Sequence, residues 1–166
     1  MADLDDQLAR HHRAAFGWAL ACCRWDAQAA EDVLQTSYLK MLDGRARFAG
    51  QAELKTFLFG VIRHTAREER RRRLIRRTMS LGLLDHANEP SIQAHGLTGI
   101  LRDERSRELE AALRHISERQ RHVLHLVFYQ GLSIADAATV LGISLGSART
   151  HYERGKAQLR RLLGKD

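Results

Sequence analysis

The residues best suited to chemistry in this sequence are arginines, and eight of them fall within residues 63–77. These are Arg63, Arg67, Arg70, Arg71, Arg72, Arg73, Arg76 and Arg77. Such a run neutralises phosphates, and each phosphate contacted on duplex DNA adds about −0.9 to the salt-dependence slope. Phe48, Phe57 and Phe59 precede the run, and aromatic rings beside a basic groove hold unstacked bases. The segment predicts nucleic-acid binding, with single-stranded DNA as an option; a solvated charged helix and core phenylalanines are the alternatives.

A second candidate DNA-binding element lies near the C-terminus. Ser133 and Ser144 are suited to cap helices, and Gly142 can take the positive φ of a tight turn between them. This pattern predicts a helix-turn-helix, whose second helix enters the major groove with its N-terminal residues. The side chains predicted to face DNA are Ser147, Arg149, Thr150, His151 and Arg154. The alternative is a solvated polar face on a plain helical hairpin.

Helical patterns must position both candidate elements. We expect a first helix over residues 4–23, a second from about Ala29 to the Asp43-Gly44 stop, and a third from about Glu53 into the arginines. Two further apolar stripes and the helix-turn-helix follow. The predicted stripes are Leu109, Leu113 and Ile116; Val123, Leu124, Val127 and Phe128; and Ala148, Tyr152, Gly155, Leu159 and Leu162.

Turn-forming residues between the two helical regions predict a division of the chain. Glycine, proline, asparagine and serine are concentrated in residues 78–98, with a turn of helix possible at 81–84. The sequence therefore predicts an all-α fold of two small helical domains, 1–78 and 106–166, joined by a flexible linker over 79–105. One domain with a long surface loop is the alternative.

Composition limits the classes of function that the chain can have. The 166 residues carry a formal net charge of +7, which favours an acidic partner such as nucleic acid. The only cysteines are adjacent, Cys22 and Cys23, and there is no apolar stretch of membrane-spanning length or secretory signal. We therefore expect a cytoplasmic protein without membrane insertion or cofactor. His122 and His125 have a spacing that could bind metal, but we expect them on a helix surface and predict no metal site.

Three stretches resemble one family in the family's own order. Residues 30–38, AEDVLQTSY, resemble the acidic-glutamine motif of the extracytoplasmic-function (ECF) sigma factors. Residues 48–66 resemble the promoter-melting segment of that family, and residues 116–163 resemble its region 4. The resemblance implies a transcription initiation factor with a region 2 bundle and a region 4 helix-turn-helix domain. It also implies the partners: core RNA polymerase, promoter DNA and an anti-sigma factor.

The resemblance also implies roles for individual positions. Glu31, Asp32 and Gln35 match positions that dock on the clamp helices of the largest polymerase subunit. The loop from Phe48 through Gly50 to Ala52 matches the one that captures a flipped base of the minus-ten element.

Other matched positions concern the reading of promoter bases. Phe57, Arg63 and His64 match positions that open or read the minus-ten element. Arg67, Arg70 and Arg71 follow them in the basic run, and we assign these three arginines to the same element. Arg149, His151 and Arg154 match the helix that reads the minus-thirty-five element. Phe57 and His64 depart from the usual tryptophan and asparagine.

Three other functions compete with this interpretation. A helix-turn-helix regulator that does not bind core polymerase would explain the C-terminal motif but not the acidic helix. A DNA-processing enzyme would need a nucleophile or metal ligands, and the sequence has no phosphate-binding glycine loop or paired zinc motif. We therefore predict no enzymatic activity. A basic interaction protein is the third alternative, which absence of DNA binding would favour.

Overall fold

The computed structural model describes residues 2–50, 52–80 and 104–164, and all regular structure in these residues is helical. The helices are α1 (Ala2–Cys22), α2 (Ala27–Leu42), α3 (Leu54–Ser80), α4 (Glu104–Arg114), α5 (Glu118–Leu124), a π-helical turn (His125–Tyr129), α6 (Ile134–Leu141) and α7 (Leu145–Leu162). The predicted all-α class is confirmed. The helices form two compact units, one on each side of residues 81–103. The predicted turn of helix at 81–84 lies outside the described residues, and the predicted domain bounds stay predictions.

The first unit is a bundle of α1, α2 and α3 built around Trp18. The Trp18 side chain is fully buried, and its ring stacks on Phe59 with 6.1 Å between centroids. Its indole N–H donates to the backbone carbonyl of Phe59 at 3.0 Å, which satisfies the one polar group of a buried tryptophan. Leu58 and Ile62 are also fully buried, so the N-terminal half of α3 is fixed on the other two helices.

Helix α2 begins earlier than the sequence predicted. Asp26 is the N-cap, because its carboxylate accepts a hydrogen bond from the backbone N–H of Ala29 at 3.0 Å. The helix therefore includes Ala27 and Gln28 before the predicted start near Ala29. It ends at Leu42 with Asp43 as the C-cap, and Gly44 follows with φ +74°, which confirms the predicted stop.

The second unit packs α5 and α6 against α7. Gly155 of α7 is buried at the crossing with α5, where an added Cβ would lie 3.0 Å from Leu124 Cδ1 and 3.1 Å from Gln120 Cβ. Ala148 is also fully buried, two turns nearer the N-terminus of α7. Two residues predicted to belong to buried stripes are exposed instead: Leu162 is 41 % exposed and Leu109 is 43 % exposed. The prediction was wrong at these two positions.

The π-helical turn after α5 changes which side chains are buried. Its wider turn shifts the register of a predicted regular helix, so Phe128, expected in the core stripe, is 64 % exposed. The predicted surface position of His122 is wrong, because that side chain is buried. His125 is also largely covered, and burial beside His122 lowers the pKa of its imidazole to about 4.

Candidate nucleic-acid and polymerase interfaces

Helix α3 presents one continuous band of candidate side chains away from the bundle. Phe57, His64 and Arg71 recur at seven-residue steps, so they share a helix face. That face lies roughly opposite the fully buried Leu58 and Ile62. Further members of the band are Arg63, Arg67 and Arg70, which follow the same three- and four-residue steps. We call these six side chains the α3 band.

The remaining arginines of the run have a different environment. Arg72, Arg73 and Arg76 cluster around the carboxylate of Glu69, with shortest nitrogen–oxygen distances of 3.7, 3.9 and 3.1 Å. By helical spacing Glu69 lies on the side of α3 away from the α3 band. The basic run is therefore divided, and the local carboxylate partly neutralises the arginines that do not share a face with Phe57 and His64.

The loop before α3 brings two aromatic rings together. Phe48 is 43 % exposed, and its ring lies 5.3 Å from that of Phe57 with an interplanar angle of 51°. Gly50 lies between them in sequence with φ +69°, a conformation that a β-carbon would strain. Phe59 does not belong to this group, because it is fully buried against Trp18. The core alternative is thus correct for Phe59, whereas Phe48 and Phe57 form a partly exposed stacking surface.

Lys40 and Glu68 connect α2 to the α3 band, and sequence reasoning missed both. Lys40 Nζ lies 2.5 Å from Glu68 Oε2 and donates to Thr65 Oγ1 at 3.1 Å. The hydrogen bond from Lys40 holds the pKa of the Glu68 carboxyl below its usual value. The sequence signal was local, a glutamate four residues after His64 at helical spacing, and it did not identify Lys40 as the partner.

The acidic-glutamine positions form an exposed patch on α2. Glu31, Asp32 and Gln35 are exposed, whereas Val33 and Leu34 between them are buried. Gln28, one turn earlier, donates to Asp32 Oδ1 at 3.3 Å. The patch therefore offers two carboxylates and two amide side chains on one helix surface, a set suited to charge-assisted hydrogen bonds with basic residues.

Local capping fixes the N-terminus of α7. The Ser144 hydroxyl accepts from the backbone N–H of Ser147 at 3.1 Å, and Gly142 has φ +58° in the turn before it. Ser133 caps α6 in the same way through the N–H of Asp136 at 3.0 Å. The predicted caps and glycine turn of the helix-turn-helix are therefore present.

The predicted DNA-facing residues of α7 do not all share one face. Ser147, Thr150, His151 and Arg154 follow steps of three, four and seven, whereas Arg149 falls outside that spacing, on another exposed side. The hydroxyls of Ser147 and Thr150 are hydrogen-bonded within the helix terminus, to Ser144 Oγ at 2.9 Å and to Gly146 O at 2.9 Å. The long side chains on this face therefore come from His151 and Arg154.

The described residues contain no group of three or more His, Cys, Asp or Glu side chains that could hold a metal ion. No helix within those residues has the length and apolarity needed to span a bilayer. Cys22 and Cys23 are half-buried thiols, and burial raises the pKa of the Cys23 thiol to about 11, which suppresses the reactive thiolate.

Two helical units, with a basic aromatic face on one and a capped helix-turn-helix on the other, are typical of a DNA-binding protein. Comparison with known families identifies both units. Residues 8–74 match sigma-70 region 2, and residues 106–159 match sigma-70 region 4.

Individual relatives agree with this assignment. The chain is 33 % identical to the ECF RNA polymerase sigma factor SigX of Bacillus subtilis over 82 % of this chain and 71 % of SigX. It is 28 % identical to SigM of Mycobacterium tuberculosis over 96 % of this chain and 76 % of SigM. The fold is similar to that of Bartonella quintana RpoE, solved in complex with the anti-sigma factor NepR, with a TM-score of 0.76 at 24 % identity, covering 100 % of this chain and 99 % of RpoE. The chain belongs to the ECF RNA polymerase sigma factor family, whose members are transcription initiation factors.

Proposed function

We propose that this sigma factor docks on core RNA polymerase through the exposed α2 patch and reads two promoter elements with two helices. Glu31, Asp32 and Gln35 bind basic residues of the polymerase clamp helices. The α3 band contacts the minus-ten element, and the N-terminal part of α7 contacts the minus-thirty-five element. The observation that carries this proposal is that all three sets are exposed or half-exposed, on helices whose opposite faces are buried.

Promoter melting follows from the partly exposed aromatic pair. Phe48 and Phe57 lie 5.3 Å apart beside the arginines of the α3 band. An unstacked base can pack on such rings, at about 1–3 kcal/mol per base, while the arginines bind the flanking phosphates. Because this surface binds the open strand better than the duplex, it shifts the equilibrium towards the open complex. The factor supplies binding energy in this step and no catalytic group, so we infer that it is not an enzyme.

Regulation by a partner belongs to the same proposal. The solved RpoE–NepR complex supports an anti-sigma partner for this chain as well. We infer that the protein acts in the cytoplasm, where bacterial RNA polymerase and promoter DNA are found. Residues 79–105 serve as a linker between the domains 1–78 and 106–166, so that each domain reaches its own promoter element.

The test uses purified full-length protein, sigma-free bacterial core polymerase and a library of promoters from the source genome. We expect selective initiation by the wild-type protein. Asp32→Arg should abolish initiation and binding to core, because it places a cation against the basic clamp helices. The matched control is Asp6→Arg, the same charge change at an exposed position of α1 outside the α2 patch, which should leave both unchanged.

Other outcomes would identify a different function. Sequence-specific duplex binding without any binding to core would make the protein an ordinary helix-turn-helix regulator. Failure to bind either core or DNA would leave only an interaction protein. Equal losses from Asp32→Arg and Asp6→Arg would show that the α2 patch has no specific role in docking.

A further inference from the structure

The carboxylate of Glu68 bridges two helices with different proposed roles. Its Oε2 atom lies 2.5 Å from Lys40 Nζ on α2, the helix with the polymerase-docking patch. Its Oε1 atom lies 3.7 Å from His64 Nδ1 on the α3 band. The Lys40 side chain is only 18 % exposed and also donates to the buried Thr65 hydroxyl, so its ammonium group is held in place from two sides.

The side chains of His64 and Glu68 differ in exposure. The His64 side chain is 73 % exposed, so its ring is accessible to a promoter base, whereas the bridging Glu68 is 39 % exposed. A carboxylate beside Nδ1 favours the tautomer with the proton on that nitrogen. The Nε2 atom then has no proton and can accept a hydrogen bond from a base amino group.

We propose that Glu68, held by Lys40, is a positioning residue that sets the tautomer and orientation of His64 and thereby the base preference at one position of the minus-ten element. This inference rests on the proposed function and deepens it. Lys40 also offsets a negative charge that would otherwise repel DNA phosphates next to the α3 band. Lys40, a residue of the polymerase-docking helix α2, therefore contributes to the base preference of the promoter-reading helix α3.

The test measures base preference directly. Full-length variants are combined with core polymerase and a promoter library in which each position of the minus-ten element found for the wild-type protein is randomised. We expect Glu68→Gln to change the preference at one position by about fivefold, the size of one hydrogen bond. Lys40→Met should change the same position, whereas Lys40→Arg, which keeps the charge, should preserve the wild-type preference.

Matched controls separate positioning from general damage. Glu69→Gln is the same substitution one residue on, where the carboxylate meets Arg72, Arg73 and Arg76 instead of His64, and it should leave the preference unchanged. In a His64→Ala background Glu68→Gln should have no further effect on base preference. Lys40→Met should likewise add nothing to Glu68→Gln.

The outcomes distinguish this inference from the proposed function. If the wild-type protein does not initiate with core polymerase, the proposed function fails and this inference fails with it. If the wild-type protein initiates selectively but Glu68→Gln keeps its preference, only the positioning role is overturned. A preference change from Glu68→Gln that persists without His64 would also overturn it, since the carboxylate would then act directly.

Discussion

Helices α3 and α7 both carry arginines that we propose contact DNA, but different kinds of contact hold the two helices in place. At the N-terminus of α7 the contacts are local, because Ser144 caps the N–H of Ser147 three residues later and Gly142 makes the turn before it. Distant contacts hold α7 further along, at Gly155 and at Gln158, which donates to the His115 carbonyl across 43 residues. At α3 the contacts join residues that are far apart in the sequence. Trp18 donates a hydrogen bond to the carbonyl of Phe59, 41 residues later, and Lys40 donates one to Glu68, 28 residues later. The start of the candidate face of α7 therefore depends on neighbouring residues, whereas the whole of the α3 band depends on a closed bundle.

This difference predicts which substitutions should disrupt the α3 band and which should disrupt the candidate face of α7. Loss of a core contact in the first unit should remove the α3 band as a whole, because the N-terminal half of α3 is positioned by Trp18 through Phe59 and by its neighbours Leu58 and Ile62. Loss of a cap or a close contact in the second unit should shift α7 and leave the α3 band unaffected. The following substitutions test that separation, in order of expected effect.

The largest effect is expected from Trp18→Ala. Removing a fully buried tryptophan should cost about 3–5 kcal/mol in the free energy of unfolding of the first unit. Hydrogen exchange of the full-length protein, read by mass spectrometry, should show loss of protection in α3 and normal protection in α7. Trp25→Ala is the control, since Trp25 is 38 % exposed and should matter little. Equal loss of protection in both helices would contradict the separation.

The next effect concerns the close crossing of α5 and α7. Gly155→Leu forces a side chain into a space where even a Cβ would lie 3.0 Å from Leu124, and it should destabilise the second unit by about 1–3 kcal/mol. Protection should fall in α5 and α7 and stay normal in α3. Gly146→Ala, at an open position of the same helix, should be neutral or stabilising. If Gly155→Leu left exchange unchanged, the two helices would not need this close approach.

A third effect depends on pH and also belongs to the second unit. His125 is neutral in the folded state because burial lowers its pKa to about 4 from 6.5. Below pH 6.5 the unfolded chain binds a proton that the folded chain does not, so stability falls as the pH falls towards 4. We expect a loss of about 2 kcal/mol at pH 5 relative to pH 7.5. Exchange in α5 measured at both values checks this, and His125→Gln should remove the dependence.

The same division between local and distant contacts explains what could be predicted from the sequence. The caps at Ser133 and Ser144 and the turn at Gly142 were predictable, because each depends on residue type and on neighbours within four positions. The buried Ala148 and Gly155 followed from helical spacing. Spacing also predicted a regular helix through Phe128. This prediction was wrong, because residues 125–129 form a π-helical turn, for which residue composition gives no comparable signal.

The candidate site on the first unit was only partly predictable. Arginine content indicated a basic helix, but the division between the α3 band and the cluster around Glu69 requires knowing which face the bundle covers. The contact of Lys40 with Glu68 joins residues 28 positions apart and could not be inferred from either segment alone. Phe57 and Phe59 look equivalent in sequence, and only the packing of Trp18 separates them.

The smallest effect, and the sharpest test of local positioning, is expected at the cap of α7. Ser144→Ala removes the acceptor for the Ser147 N–H and should cost the second unit about 1 kcal/mol, because that N–H is left without its partner. Affinity for a minus-thirty-five duplex, measured by fluorescence anisotropy, should fall together with stability, since the first turn of α7 contains Ser147 and leads into the turns that carry His151 and Arg154.

Two variants of the cap separate its role from direct contact with DNA. Ser144→Asp keeps an acceptor for the Ser147 N–H and should restore stability. Ser147→Ala removes only a hydroxyl that bonds to Ser144 Oγ at 2.9 Å and leaves the capping N–H intact, so it should cost less than Ser144→Ala. If Ser147→Ala lowers affinity as much as Ser144→Ala does while stability is unchanged, then Ser147 contacts the duplex itself, and α7 is positioned by its packing on α5 more than by its cap.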